Sequence, residues 1–204
     1  MKRIFLFIFL AITISCNCQN RIDIFKKFIN KFKEYSFPIT SDTFQKLNLY
    51  ANNEGNISKQ EFDLFLKDNN DKFWVYMLYS KEHPDYFNYA TALKVPLSIN
   101  TNLIALIYFR AFLPDEYNRC KTDAVLAIYN PNGILISKLP ILGSYSDTLS
   151  FESKLYSSEK IEISFKKTTY KKTVINNTNT FDPTEMIYIK NYYIQKNGNI
   201  VLKK

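Results

Sequence analysis

Residues 21–35, RIDIFKKFINKFKEY, carry the clearest helical pattern of the chain. At about 100° per residue, Ile22, Ile24, Phe25, Phe28, Ile29, Phe32 and Tyr35 fall within one arc of roughly 160°. Asp23, Lys26, Lys27, Asn30, Lys31, Lys33 and Glu34 fill the opposite arc. Such a helix either lies in a membrane surface or covers one face of a sheet with its lysines in water. Asp23 and Glu34 dilute the basic face and the apolar arc suits a core, so the sheet-covering role is preferred. Phe37-Pro38-Ile39 ends the helix, and Ser41 to Tyr50 predicts a short second one. A third starts at Ser58. Ser58-Lys59-Gln60-Glu61 has the form of a capping box, with Ile57 and Phe62 as its hydrophobic staple. Asp68-Asn69-Asn70-Asp71 closes the helical region.

From Lys72 the pattern changes to strands. Phe73–Tyr79 and Tyr86–Val95 are rich in aromatic and aliphatic residues. Leu103–Leu113, LIALIYFRAFL, is apolar on both faces apart from Arg110, and Pro96 and Pro114 flank it. Its β-branched and aromatic content predicts a central strand. A strand buried on both faces needs a second layer, which the N-terminal helices can supply. Ala124–Tyr129 and Ile134–Leu139 flank Asn130-Pro131-Asn132-Gly133, the strongest hairpin signal: Pro131 suits a type I turn and Gly133 can take positive φ. Further strands are predicted near Thr148–Leu155, Ile161–Thr168 and Tyr170–Ile175. A polar loop over 176–184, containing Pro183, precedes a long strand Glu185–Gln195, an Asn197-Gly198 turn and a short strand from Ile200. Strand, turn and strand recur with no crossover helix between them. The expected fold is therefore α+β: N-terminal amphipathic helices packed on an antiparallel β-meander, as a curved sheet, sandwich or partial barrel.

A third pattern stands at the start. Lys2 and Arg3 precede an unbroken apolar run from Ile4 to Ile12, and Ser15 leads into Cys16. A charged start, a short apolar core and a small-residue exit describe a secretory signal, and the run is shorter than the about 20 residues a membrane span needs. Thr13-Ile14-Ser15-Cys16 resembles the lipobox of bacterial lipoproteins, departing from it at Thr13, where Leu is usual. With the composition, the leader resembles those of small Bacteroidota envelope lipoproteins. The resemblance implies diacylation of Cys16 as the first residue of the mature chain, and no particular activity. Asn17, rather than Asp, implies the outer membrane, and the lack of an acidic cluster over residues 17–22 implies its periplasmic face. The expected organisation is a signal peptide at 1–15, a lipidated tether at 16–20 and one α+β domain at 21–204, helical over 21–71 and a β-meander over 72–204. The bilayer, reached through Cys16, is the first expected partner.

The chain has a net charge of +8, yet its lysines are dispersed, and a nucleic-acid partner is not expected for an exported protein. Fifteen Tyr and seventeen Phe beside four Gly fit the codon bias of an AT-rich genome, so aromatic content is not taken as a binding signal. With Cys16 acylated, Cys18 and Cys120 remain, and Cys18 lies in the tether, which disfavours a disulfide between them. No CxxC and no Cys/His cluster is present, so no zinc site, no other metal and no cofactor is expected.

Candidate chemistry is sparse. Gly55 to Phe62 resembles the second half of an EF-hand loop, but Tyr50 stands where the first carboxylate is needed. His83, the single histidine, sits in a turn-like Lys81-Glu82-His83-Pro84-Asp85. No nucleophile elbow, HExxH or P-loop occurs, and no catalytic residue is assigned. Arg110, Asp115, Glu116, Arg119 and Asp123 gather around one strand-to-strand connection and form the candidate ligand- or partner-binding loop, since loops at sheet ends commonly carry function. The expected function is a membrane-anchored, non-enzymatic envelope lipoprotein that binds a protein or envelope component, with an immunity-type role as one form. The alternatives are a carboxylate-dependent hydrolase of glycans or peptides and a carrier of small apolar ligands.

Overall fold

The structure, a computed structural model, describes residues 20–46, 57–67, 89–112, 121–146, 148–175 and 178–203. The expected strand at Phe73–Tyr79 lies outside them. The fold is α+β and dominated by one large antiparallel sheet. Its elements are α1 (residues 20–29), β1 (Lys33–Glu34), β2 (Ile39–Thr40) and α2 (Ser41–Lys46). Next come α3 (Lys59–Glu61), which runs on as a π-helical turn Phe62–Leu66, β3 (Tyr89–Val95), β4 (Ile104–Phe112) and β5 (Lys121–Tyr129). β6 (Leu135–Ser146), β7 (Leu149–Ser157), β8 (Lys160–Ile175), β9 (Thr178–Ile194) and β10 (Ile200–Leu202) complete it.

Strands β3 to β10 follow one another in chain order, the meander expected from their spacing. β6 is the pivot. Its first part pairs with β5 up to Leu142↔Ala124, and its second part pairs with β7 from Gly143↔Phe151. Register shifts along β6 bend the strand there, as bulges do. The sheet thereby folds back on itself. Ser137 donates through its hydroxyl to the Gly198 carbonyl at 2.6 Å, tying the β9–β10 turn to β6.

The central strand β4 shows why two layers form. Ala105, Ile107 and Phe109 point into a core built with Leu126 and Ile128 of β5, Ile141 of β6, and Phe151, Leu155, Ile161 and Ile163 from the returning sheet. Leu106 and Tyr108 point the other way, into a core with Phe25, Phe28, Phe32, Ile57 and Phe65 from the helical segment. α1 and α3 thus supply one of the two covers, and the second half of the meander, joined by Phe44 of α2 against Phe109, supplies the other. Burying a side chain the size of Leu or Phe contributes roughly 1.5–3 kcal/mol, so both layers are needed to keep β4 out of water.

The amphipathic pattern of residues 21–35 sets the packing of α1. Phe25 and Phe28 are fully buried against Phe65, with ring centroids 5.0 and 5.1 Å away. The sheet-covering role is the one taken. The helix stops at residue 29, earlier than the periodicity predicts, because Lys33 and Glu34 pair in parallel with Leu93 and Lys94 at the edge of β3. The chain then rounds that edge. Phe32 packs in the helix-side core, while Tyr35, Phe37 and Ile39 belong to the opposite one. The capping box is formed as read: Ser58 Oγ accepts from the Glu61 amide at 3.2 Å, and Glu61 Oε2 accepts from the Ser58 amide at 2.7 Å.

Two expectations are corrected. β8 is one strand through Thr169, not two. The polar stretch expected as a loop over 176–184 is strand from Thr178 onward, Pro183 included, so β8 and β9 form one hairpin paired from Ile161↔Tyr192 to Ile175↔Thr178. Thr and Lys on both strands lack apolar alternation, and it is the backbone ladder that keeps them extended.

Candidate functional site

Arg110 and Asp123, two of the five candidate loop residues, lie inside the sheet. β4 and β5 place them directly opposite each other. Arg110 Nε donates to Asp123 Oδ1 at 2.6 Å and Nη2 to Oδ2 at 2.8 Å, a bidentate pair. Arg110 is 7% exposed and Asp123 3%. They extend the side of β4 and β5 that carries Tyr108 and Val125, and Tyr89 is the β3 neighbour of Arg110. Gly143 backs the pair: a Cβ there would stand 2.6 Å from Asp123 Cβ, and its φ of +152° disfavours a side chain. A carboxylate whose two oxygens both accept from one guanidinium is poorly placed to act as a base or nucleophile. Asp115, Glu116 and Arg119 lie outside the described residues, as do Cys16, Cys18, Cys120 and His83.

A second polar cluster joins the helical segment to itself. Lys31 Nζ donates to Glu61 Oε2 at 2.7 Å, and Glu61 is 6% exposed. Burial alone raises the Glu61 carboxyl. The Lys31 hydrogen bond, the two Ser58 bonds and the Lys31 charge together outweigh it and hold the group below its ordinary value. Tyr129 donates through its hydroxyl to the Phe65 carbonyl at 2.9 Å, closing the π-helical turn onto β5. Burial, then Tyr108 and Tyr89, push its phenol well above its ordinary value. Arg21 Nη2 donates to the carbonyls of Leu64 and Gly133, both at 3.1 Å, so the same segment is tied to the β5–β6 turn. These groups fasten α1 and α3 to the sheet. Among the described residues no three His, Cys, Asp or Glu side chains converge as metal ligands.

The other unusual feature is the outer part of the β8–β9 hairpin. β7 pairs with β8 only as far as Leu149↔Lys167, and β10 pairs with β9 only over Tyr192–Ile194. Beyond those limits the two strands have each other and, among the described residues, no further strand. All ten residues from 181 to 190 are exposed. Phe181 is 59% exposed, Ile187 63% and Ile189 54%, and Tyr170 and Met186 are also exposed. The register sorts them. Ser164↔Ile189, Lys166↔Ile187, Tyr170↔Pro183 and Lys172↔Phe181 share one face; Lys167↔Met186, Thr169↔Thr184 and Lys171↔Asp182 share the other. At the root of the arm Phe165 stacks on Tyr188, centroids 5.0 Å apart and planes 5° apart, with Lys190 Nζ 5.3 Å from the Phe165 centroid. Sequence reasoning identified a strand here and drew nothing from it. The available signal was Met186-Ile187-Tyr188-Ile189, an apolar run without alternation.

Two surface depressions accompany these features. One, of about 470 Å³, lies beside the arm between Leu142, Glu152, Lys166 and Ile187. The other, of about 1060 Å³, is open and lies along β9 and β10, against Ile99, Glu159, Tyr193, Lys196 and Leu202. No helix among the described residues is long and apolar enough to cross a membrane. No family model, curated protein or solved structure matches the chain.

Proposed function

We propose that the chain is a membrane-anchored envelope lipoprotein whose domain is a binding module and not a catalyst. In this reading residues 1–15 direct export, Cys16 carries the acyl chains at the periplasmic face of the outer membrane, and residues 21–204 present a recognition surface close to the bilayer. The observation that carries the binding half is the contrast between a filled body and an exposed apolar arm. Both faces of β4 are closed by side chains of the chain's own, which favours surface recognition over an enclosed chamber for a small apolar ligand. Monomeric proteins seldom leave apolar side chains contiguous and exposed without a use for them. A hydrolase would need two carboxylates converging on a substrate; the two buried carboxylates among the described residues, Asp123 and Glu61, are each engaged by a cationic partner. An immunity-type role, blocking a neighbour's toxin by surface contact, is one form of the same reading. The connection bearing Asp115, Glu116 and Arg119 is its second candidate surface, for a protein partner.

The anchor is tested by intact mass of protein extracted from membranes, wild type against Cys16→Ser. An acyl mass on the wild type, lost in the variant, supports the reading. A wild type without one makes this a free exported protein or one that is not exported.

A further inference from the structure

We propose that the outer part of the β8–β9 hairpin is a membrane-docking arm that lies on anionic phospholipid. One face carries Tyr170, Phe181, Pro183, Ile187 and Ile189 in register, all exposed, with Lys166, Lys172 and Glu185 interleaved among them. Around them stand Lys166, Lys167, Lys171, Lys172 and Lys190, against two acids, Asp182 and Glu185. Glu185 is taken by Lys166 at 2.6 Å. Lys167 and Lys172 face Met186 and Phe181 across the ladder, so no acid opposes them there. The arm is therefore a ribbon with a cluster of exposed apolar side chains on one face and a surplus of lysine spread over both faces. Lysine stems can lie along apolar surface while their ammonium groups reach outward. That combination matches a bilayer interface with anionic headgroups: the apolar cluster enters the acyl boundary and the lysines meet phosphates.

The same features weigh against the other occupants. A second copy would bring one positively charged arm against another. Edge-to-edge strand addition along β9 meets Pro183, which has no amide to donate, and the charged side chains of Asp182, Glu185 and Lys190, all devices that guard an edge. The faces of the arm are open while its edge is guarded, and a lipid surface uses the face.

The inference rests on the reading of the arm as the binding surface but not on the acyl anchor. The test uses the full chain with Trp74→Phe and Ile189→Trp, so that one tryptophan reports from the arm. Vesicles contain phosphatidylglycerol with phosphatidylcholine, or phosphatidylcholine alone, each with and without brominated acyl chains. The expected result is a blue shift and strong quenching with the anionic vesicles, weakened by salt, and little of either with phosphatidylcholine alone. Each of Lys167→Gln and Lys172→Gln should weaken vesicle partition roughly fivefold, the worth of one lysine near an anionic surface. Ile187→Asp in the same background should abolish quenching while leaving the circular dichroism spectrum unchanged. No quenching in either vesicle overturns the proposal, as does equal quenching in both. A dimer in sedimentation without lipid, lost in Ile187→Asp, would assign the face to a second copy and also overturn it. An acylated wild type with an unquenched arm removes this inference and leaves the anchor standing; quenching without acylation does the reverse.

Discussion

Removing the Asp123 carboxylate should be among the most damaging single changes in this protein. Asp123→Ala leaves the Arg110 guanidinium inside the sheet, 7% exposed, without the two bonds at 2.6 and 2.8 Å that match its fork. Two unit charges about 4 Å apart interact by about 4 kcal/mol at an effective dielectric of about 20, and breaking one side of a buried pair commonly costs about 3–5 kcal/mol. A domain has about 5–15 kcal/mol in total, so a large share of stability is at stake. With a urea dependence of about 2 kcal/mol per M, the midpoint should fall by about 2 M. Arg110→Met with Asp123→Leu supplies the contrast. It removes both desolvated charges together, and its stability should lie within about 2 kcal/mol of wild type, or above it, because the attraction roughly offsets the desolvation of the two ions. Urea denaturation followed by circular dichroism over the full double-mutant cycle reads the coupling. An Asp123→Ala cost under about 1 kcal/mol, the value of a solvent-exposed pair, would refute the argument. So would a double variant as weak as the single one, since the damage would then come from changed packing at these positions and not from breaking the pair.

Tyr129→Phe removes the donor to the Phe65 carbonyl and should cost about 1–2 kcal/mol in the same assay, with faster amide exchange in residues 62–67. Gly133 has φ +75° and a Cβ there would stand 2.7 Å from Phe25 Cγ, so Gly133→Ala should lose about 2–4 kcal/mol from backbone and overpacking together; Gly133→Asn, which tolerates the backbone, should still be destabilised, and a neutral Asn variant would show the contact yields. Glu61 is held below its ordinary value of 4.5, so its contribution is complete above that pH and is lost as the pH falls through the lower folded value. Glu61→Gln should therefore be less stable at neutral pH and flatten the acid limb of the stability curve; an unchanged acid limb would remove Lys31 and Ser58 as the cause.

What could be read from the sequence was whatever a local pattern decides. The aromatic arc of α1, the Ser58 capping box and the Asn130–Gly133 turn each depend on neighbours within a few residues, and each forms as its chemistry dictates. The end of α1 does not have that property. Its apolar period continues to Tyr35, yet the chain leaves the helix because an edge of β3, some sixty residues away, takes Lys33 and Glu34 as a partner. The candidate loop divides in the same way. Arg110 and Asp123 stand out in the sequence as charges near a turn, but the register of β4 against β5 sets them on one another two rungs before Phe112↔Lys121, inside the sheet, and register is a long-range quantity. The arm is the sharpest case. Met186-Ile187-Tyr188-Ile189 reads on periodicity as a strand buried on both faces. It is exposed because β7 stops pairing at Leu149 and the β10 ladder stops at Leu202, opposite Tyr192, so no neighbouring strand among the described residues reaches it. Apolar composition predicts that such a strand will be covered; strand lengths elsewhere in the sheet decide that no described strand supplies the cover, and a surplus of lysine then favours an anionic surface as what does.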